Sequence, residues 1–469
     1  RRRRPRPDPG GQRRQGVTAA VGDSGSGASR SHQAVAGGGR AGASTDHRGR
    51  QRVAVTGIGV KTPAGQTVDE LWDTLVAARP AAAPITLYDA ADHSVRFACE
   101  VRDFDAVPYV GPKDVRRTDR AGLLAVAAAA DALGDATAVS MNRTDDLLPA
   151  PSPDDLGADP LRCAVVAGSG IGGIRTLEDQ IIGYVEKGPS RVGPFLVPMM
   201  MPNAAAALVA IRHGFTGPNL AVATACATGA HAIGEGARLL RDGMADVVVC
   251  GGTEACVSPV AMAAFARMGA LSKNPDPSAA SRPFDDDRDG FVMGEGAAFV
   301  VLEPYDRAVS RGARIHGEVL GYGLTCDAHH ITAPVEDGSG AVAAIEMALA
   351  DAGMTAGAIG HVNAHGTSTP HNDAAEAVAI AKVFGPGAVP VTSTKGVTGH
   401  LIGAAGAVEA VVALLAAGRG LVPPTANHRH TDLPVDVVAG EPRSIEVAPA
   451  VSTSFAFGGH NAALVLGPA

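Results

Sequence analysis

The sequence predicts an α/β fold. Short apolar runs of strand character alternate with Ala-rich segments of helical spacing, most of them 10–15 residues long. Of 469 residues, 46% are hydrophobic, enough to bury a large core. Aromatics make up only 4% while glycine alone contributes 59 residues, so the packed elements approach closely through small side chains. Strands separated by helices of this length argue for largely parallel sheets.

The folded body begins at Arg52-Val-Ala-Val-Thr-Gly57-Ile-Gly59, a buried strand entering a glycine turn. Further strands are predicted at Cys163–Ala167, Leu220–Ala223, Asp246–Cys250, Ala297–Leu302, Gly317–Tyr322, His361–Ala364, Val389–Ser393 and Ala462–Leu466. Helices are predicted at Thr118–Leu133, Gly340–Ala352, Asp373–Val383 and Ala404–Ala417. An apolar strand ending in glycine turns occurs at Gly57 and again near Gly321, which points to a duplication. The halves would be 51–310 and 311–469, divided near Tyr305–Gly312. No linker separates them, so they would share one core.

Residues 1–50 are a different material. They hold eleven Arg and three Asp with few large apolar side chains, and read as a disordered tail or, being Arg/Ser-rich and acid-poor, as a transit segment. That stretch carries +8 against −8 for the whole chain, leaving −16 on the body, which disfavours nucleic-acid binding there. Six cysteines without a CxxC pair fit a reducing compartment, hence the cytoplasm, or a mitochondrion or plastid if the tail is a transit peptide. No uninterrupted apolar run reaches 18 residues, so no membrane span is expected.

The chemistry centres on Leu220-Ala-Val-Ala-Thr-Ala-Cys226-Ala-Thr-Gly229, a strand, a small-residue corner and a helix start. A thiol at a helix N-terminus faces unpaired N–H groups and about half a positive charge, which favours thiolate. A buried structural cysteine is the ordinary alternative, but three further stretches argue against it. His365 ends a strand in His361-Val-Asn-Ala-His365-Gly-Thr367-Ser-Thr369; His400 sits among glycines in Thr394-Lys395-Gly-Val-Thr-Gly399-His400, ahead of a helix carrying Glu409; and Ser454-Phe455-Ala-Phe457-Gly458-Gly459-His460-Asn461 reads as a glycine turn with free backbone donors. A thiol, two loop histidines, a lysine and such a turn compose an acyl-transfer site. Two decoys fall away. Gly168-x-Gly170-x-x-Gly173 lacks the later strand-end acid of a dinucleotide site, and His361 and His365 lie on a strand and loop rather than a zinc-binding helix, so no metal is expected.

With these residues in view, the sequence resembles the elongating β-ketoacyl-[acyl carrier protein] synthases, the type II dimeric condensing enzymes of fatty acid synthesis. Gly168-Ser-Gly-Ile-Gly-Gly173, Pro194-Phe-Leu-Val-Pro198, Ala280-Ser-Arg-Pro-Phe284, Arg288-Asp-Gly-Phe-Val-Met-Gly-Glu-Gly296 and Val422-Pro-Pro-Thr425 add to the match, which runs from about residue 52 to 467. The resemblance implies a thiolase fold, five-layered αβαβα with two pseudo-repeated halves, in a homodimer that acts on carrier-bound acyl and malonyl groups. It implies no cofactor of its own, the 4′-phosphopantetheine arm arriving on the acyl carrier protein.

It also implies roles. Cys226 takes the acyl chain; the backbone N–H groups of Cys226 and Phe457 form the oxyanion hole; His365 and His400 serve decarboxylation of malonyl-carrier protein. Lys395 supports them with Glu409 behind it. Thr367 and Thr369 hold the pantetheine arm, Phe457 gates the acyl pocket, and Ile171, Phe265 and Phe455 line the substrate site. Lys113, Arg116 and Arg117 match a carrier-docking patch, although on physics alone they are equally a solvated helix face. Ala456 stands where glycine is usual and Gly396 where serine is frequent; neither removes a catalytic group. A degradative thiolase would have a second cysteine after Cys326, a priming synthase Asn at position 400, and a silent chain-length factor no Cys226. A polyketide ketosynthase with the same chemistry remains the alternative.

Overall fold

The computed structural model describes residues 44–137, 139–141 and 147–469. Most of the predicted tail lies outside these residues, but its last part does not. Thr45 bridges Gln51, while Arg48 and Arg50 bond the Asp351 carboxylate at 2.9 and 2.8 Å. The guanidinium groups also donate to Ala350 O and Asp351 O at a helix C-terminus, where cations are favoured. The ordered body therefore starts before the strand that the sequence singled out.

Ten strands build the framework: β1 (Val53–Lys61), β2 (Cys163–Gly168), β3 (Asn219–Ala221), β4 (Val247–Glu254), β5 (Gly296–Pro304), β6 (Gly317–Cys326), β7 (His361–Asn363), β8 (Pro390–Thr392), β9 (Ala450–Ala456) and β10 (His460–Pro468). The first five lie in the order β3-β2-β4-β5-β1 and the second five in the order β8-β7-β9-β10-β6. Ranked along the chain, both are 3-2-4-5-1. In each half the first three positions of that order pair in parallel and the last two antiparallel. The predicted duplication is thus present in the topology. The predicted largely parallel sheets are instead mixed: β10 returns to β9 through the tight Phe457–Gly459 turn, and β5 lies antiparallel to β4 after a long connection that holds the helix Pro259–Arg267. Pairing of Ala54 with Glu318 joins the halves through β1 and β6.

Helices fill three layers. α1 (Arg120–Thr137) and α2 (Ala204–His213) cover one sheet, α3 (Thr228–Arg241) and α6 (Ala405–Arg419) lie between the sheets, and α4 (Ser339–Ala352) and α5 (Pro370–Phe384) cover the other. This is the five-layered αβαβα arrangement. β1 and β4 are buried along their whole length, as strands covered on both faces must be. Glycines set the helix–sheet distance in both halves. A Cβ on Gly57 or Gly59 would fall 2.1 or 2.0 Å from a carbonyl oxygen of α1, and one on Gly321 or Gly323 would fall 2.2 or 2.0 Å from a carbonyl of α4.

Two further expectations are corrected, and one helix bears on a third. The run Leu220–Ala223, expected as a buried strand, gives β3, whose three residues are exposed because it is the sheet edge. The stretch from Ser454 is strand until Ala456, and only Phe457–Gly459 turns. One helix, Ile402–Arg419, does meet the length and hydropathy of a membrane span (mean hydropathy 1.6), but 83% of it is buried as the core helix between the sheets.

Candidate active site

The chain leaves β3 and enters a tight turn, Ala225–Ala227, directly ahead of α3. Ala225 is held at φ +47°, a left-handed conformation that L-residues rarely adopt. Ala227 N donates to Thr224 O at 3.1 Å and Thr224 N to Thr228 Oγ1 at 3.0 Å, which fixes the turn. Cys226 is buried at its apex, with Sγ 3.0 Å from His400 Nε2. The Phe457 N–H also reaches the sulfur. Burial pushes the thiol up to about 12 despite the nearby Lys395 charge. Burial thus favours a neutral thiol, able to donate to the neutral His400, and works against the helix N-terminus that favours thiolate.

His365 and His400 stand edge to face, ring centroids 5.3 Å apart. Burial first, then the Lys395 charge, holds both well below the usual imidazole range, so both are neutral. Lys395 Nζ lies 3.2 Å from His365 Nδ1 and 2.5 Å from His365 O, and it pairs with Glu409. An ammonium only donates, so His365 Nδ1 accepts and its proton sits on Nε2. That nitrogen is then a donor directed away from the lysine. Burial raises Glu409 above the usual carboxylate range while Lys395 opposes the shift.

A cavity of about 470 Å³ joins these groups. Cys226, His365, His400, Thr367, Thr369, Ile171, Phe265, Phe455 and Phe457 all line it, and Thr367 Oγ1 lies 2.8 Å from Thr369 Oγ1. Lys395 and Glu409 are buried behind the histidines. Lys113, Arg116 and Arg117 are apart from this group. They are exposed at the end of the helix Val107–Val115, and Arg117 rests on the Phe195 ring at 4.9 Å.

Three buried acids escaped the sequence reading. Glu254 accepts from Ser169 Oγ (2.6 Å), Gly170 N (2.8 Å) and Gly403 N (3.1 Å), so it ties the loop after β2 to the segment following His400. A Cβ on Gly170 would come within 2.9 Å of its carboxylate, which explains the glycine motif there. Glu376 accepts from His365 N and Gly366 N at 2.8 and 2.7 Å, and Asp373 from Thr367 N and Ser368 N at 2.9 and 3.1 Å. Burial pushes Glu254 and Glu376 each up to about 7. The spacing of Asp373 and Glu376 in the first turns of a helix directly after the His365 loop was the available signal.

Cys226, His365 and His400 bring one donor atom each within 4.8 Å of the others, a spacing a metal ion could bridge. The tautomer set by Lys395 argues against it, because His365 Nε2 carries a proton where a ligand needs a lone pair. His361 is fully buried, with both ring nitrogens unpartnered among the described residues, and burial pushes it down to about 4.

Comparison with known proteins decides the family. The profile "Beta-ketoacyl synthase, N-terminal domain" matches residues 50–308, and "Beta-ketoacyl synthase, C-terminal domain" matches 316–429. The chain belongs to the β-ketoacyl synthase family. It is 46% identical over 420 residues to 3-oxoacyl-[acyl-carrier-protein] synthase 2 of Synechocystis sp., covering 88% of this chain and 97% of that protein. The synthase 2 of Vibrio cholerae is 43% identical, with 89% and 99% covered. Among solved structures, the ishigamide ketosynthase/chain length factor is 38% identical with a TM-score of 0.80, over 90% of this chain and 100% of that one. A β-ketoacyl synthase from Burkholderia phymatum is 33% identical, also at 0.80, over 89% and 100%. The chain is a thiolase-fold condensing enzyme of the acyltransferase class, an elongating 3-oxoacyl-[acyl-carrier-protein] synthase of fatty acid synthesis.

Proposed function

We propose that the condensation runs on Cys226, His400, His365 and the Phe457 turn in two half-reactions. In the first, Cys226 Sγ attacks the carbonyl of a carrier-bound acyl thioester while its proton passes to His400 Nε2. The oxyanion forms between the backbone N–H groups of Cys226 and Phe457. The carbon–sulfur bond to the carrier breaks, and the departing sulfur takes the proton from His400. In the second, the carboxylate of malonyl-carrier protein leaves as CO₂ and its bonding pair moves into an enolate. His365 Nε2–H donates to that enolate oxygen. The carbanion attacks the acyl-Cys226 carbonyl, the thioester bond breaks, and Cys226 takes up one proton from solvent. Decarboxylation supplies the carbanion, so no strong base is needed. The carrying observation is the 3.0 Å contact of Cys226 with a neutral His400, in a cavity shared with His365.

The partner in this reading is an acyl carrier protein, which brings its own 4′-phosphopantetheine arm, and the protein itself needs no cofactor. Thr367 and Thr369 face that arm, and Lys113, Arg116 and Arg117 meet the acidic carrier. A structure titled as a type II polyketide acyl-carrier protein in complex with its ketosynthase is 27% identical with a TM-score of 0.78, which supports the pairing. The exposed edge strand β3, which carries exposed Leu220, together with exposed Ile211 on α2, supports a homodimer, since such an edge invites pairing with a second copy. Six free cysteines support a reducing compartment, the cytoplasm. The likeness to the ishigamide ketosynthase keeps a polyketide acyl chain as the second reading.

Intact-protein mass spectrometry after exposure to carrier proteins loaded with C4 to C18 chains tests the scheme. One acyl mass should appear on the parent, not on Cys226→Ala, and malonyl-carrier protein should clear it. No adduct with any chain would defeat the fatty-acid reading.

A further inference from the structure

Outside the groups that touch substrate, one buried histidine joins the two halves of the site. His231 lies on α3, five residues after Cys226, and is buried. Its Nδ1 is 2.8 Å from Thr224 Oγ1 and its Nε2 is 3.4 Å from the carbonyl oxygen of Asn461. A carbonyl only accepts, so Nε2 carries the proton, and Nδ1 accepts from the Thr224 hydroxyl. The tautomer is thereby fixed from both ends.

Each end leads to one wall of the oxyanion site. Thr224 is the residue that sets the Cys226 turn: its carbonyl accepts from Ala227 N and its N–H donates to Thr228 Oγ1. Asn461 is the second residue of β10, which begins immediately after the Phe457–Gly459 turn. Its side chain donates to Asp327 Oδ1 at 2.6 Å, and Asp327 N donates to Gly459 O at 2.9 Å, closing back on that turn. The ring of His231 also packs edge to face on His460, centroids 6.4 Å apart, and on Tyr322 at 6.1 Å. A continuous path of hydrogen bonds therefore runs from the strained nucleophile turn of the first half to the glycine turn of the second. Packing alone would be served by an apolar ring. Two directional bonds, one to Thr224 in its own half and one across to Asn461 in the other, are what the imidazole adds. Burial also pushes His231 down to about 4, so it stays neutral and keeps this pattern across the working pH range.

We propose that His231 is a positioning residue for acyl transfer, tying the Cys226 turn to the Phe457 turn so that the two backbone N–H groups receiving the oxyanion keep a fixed separation. This rests on the oxyanion role given above to Cys226 and Phe457. A misplacement of the order of 1 Å at such a site lowers rates by about 10²-fold, and loss of one oxyanion donor by about 10²–10³-fold.

The test is the single-turnover acylation of Cys226 by acyl-carrier protein, followed by intact mass, beside the rate of Cys226 alkylation by iodoacetamide. Alkylation needs the thiol but no oxyanion site. His231→Phe should acylate about 10- to 100-fold more slowly, with unchanged KM for the carrier and alkylation within about twofold of the parent. His231→Gln, whose amide offers one acceptor and one donor, should recover part of the loss. Thr224→Val severs the same path from its other end and carries the test if His231→Phe does not fold; where both fold, the double variant should be no slower than the slower single one. Acylation at the parent rate in the folded variants would overturn the proposal while leaving the catalytic scheme standing. So would an equal fall in alkylation, which marks general damage to the turn. A parent that never acquires acyl on Cys226 would overturn the scheme and the proposal together.

Discussion

Lys395→Met removes two things at once: the donor at His365 Nδ1 and the cation facing Glu409. The two losses have different magnitudes and different remedies. Both side chains of the pair are 1% exposed, and deleting one member of a buried pair destabilises by about 3–5 kcal/mol. A second substitution, Glu409→Leu, removes the stranded carboxylate and should restore most of that loss. The catalytic effect has another origin. A hydrogen bond from a charged donor contributes about 1.5–3 kcal/mol, which is about 10- to 150-fold in rate if it is expressed in the transition state. Without the ammonium, nothing holds the His365 proton on Nε2, so the enolate loses its donor. The assay is CO₂ release from labelled malonyl-carrier protein, with Cys226 acylation by intact mass and thermal unfolding measured on the same samples. Lys395→Met should lose both stability and decarboxylation. Lys395→Met/Glu409→Leu should regain stability and remain slow in decarboxylation. Acylation should fall less than decarboxylation in both, because His400, not Lys395, faces the thiol. A double variant that decarboxylates within about threefold of the parent would refute the tautomer argument. So would acylation and decarboxylation falling in step.

Other outcomes follow from the same geometry. His361 is neutral when folded, its pKa depressed from 6.5 to about 4. The unfolded chain thus binds the extra proton between those values, and stability is lost as pH falls from 6.5 towards 4. His361→Phe should escape that loss, gaining about 1.3 kcal/mol on the parent between pH 7.5 and 5.5 in denaturant titrations; parallel pH profiles would contradict it. Reversing the charge of Lys113, Arg116 and Arg117 together should raise KM for the carrier protein and flatten its salt dependence, with kcat and alkylation of Cys226 unchanged. An unaltered KM at low salt would return the patch to a solvated helix face. Asp351→Asn should weaken the anchorage of Arg48 and Arg50, read as faster proteolysis ahead of Arg52 without loss of condensation; unchanged cleavage would mean the backbone contacts at Ala350 and Asp351 hold the segment alone.

Much of this was legible because the sequence signals were local. Cys226, His365 and His400 each sit at a strand end or among glycines, and a buried strand such as β4 shows itself as an unbroken apolar run. What was not legible depends on pairing across the fold. The direction of β5 is set only after a long connection, and β9, whose tight turn into β10 makes that pair antiparallel, was not read as a strand, so the sequence overstated parallel character. The exposure of β3 follows from its place at the edge, which composition does not encode. The helix N-terminus ahead of α3 is a local feature and was legible, whereas the burial that opposes the thiolate at Cys226 comes from surrounding elements and was not. Glu254 was invisible for the same reason: it is an ordinary acid in sequence and a clamp only when distant N–H groups converge on it, whereas Glu376 holds N–H groups of the nearby His365 loop.

The duplicated strand order also explains why the site is where it is. In each half, the third strand in chain order leads into the central helix layer: β3 into the Cys226 turn and α3, β8 into Lys395, His400 and α6. The two helices meet where a Cβ on Gly229 would fall 2.6 Å from Ala407 N, so no larger residue could let them approach. That contact brings the two equivalent loops face to face. The second strand of each half contributes the next loop, and here the copies have diverged. After β7 it presents His365 to the cavity, and after β2 it presents Gly170 to Glu254. One copy supplies chemistry and the other holds it in place. A site assembled from these four loops and the Phe457 turn needs its relative distances fixed by bonds that cross between the halves, and His400 to Cys226 and His231 to Asn461 are bonds of that kind.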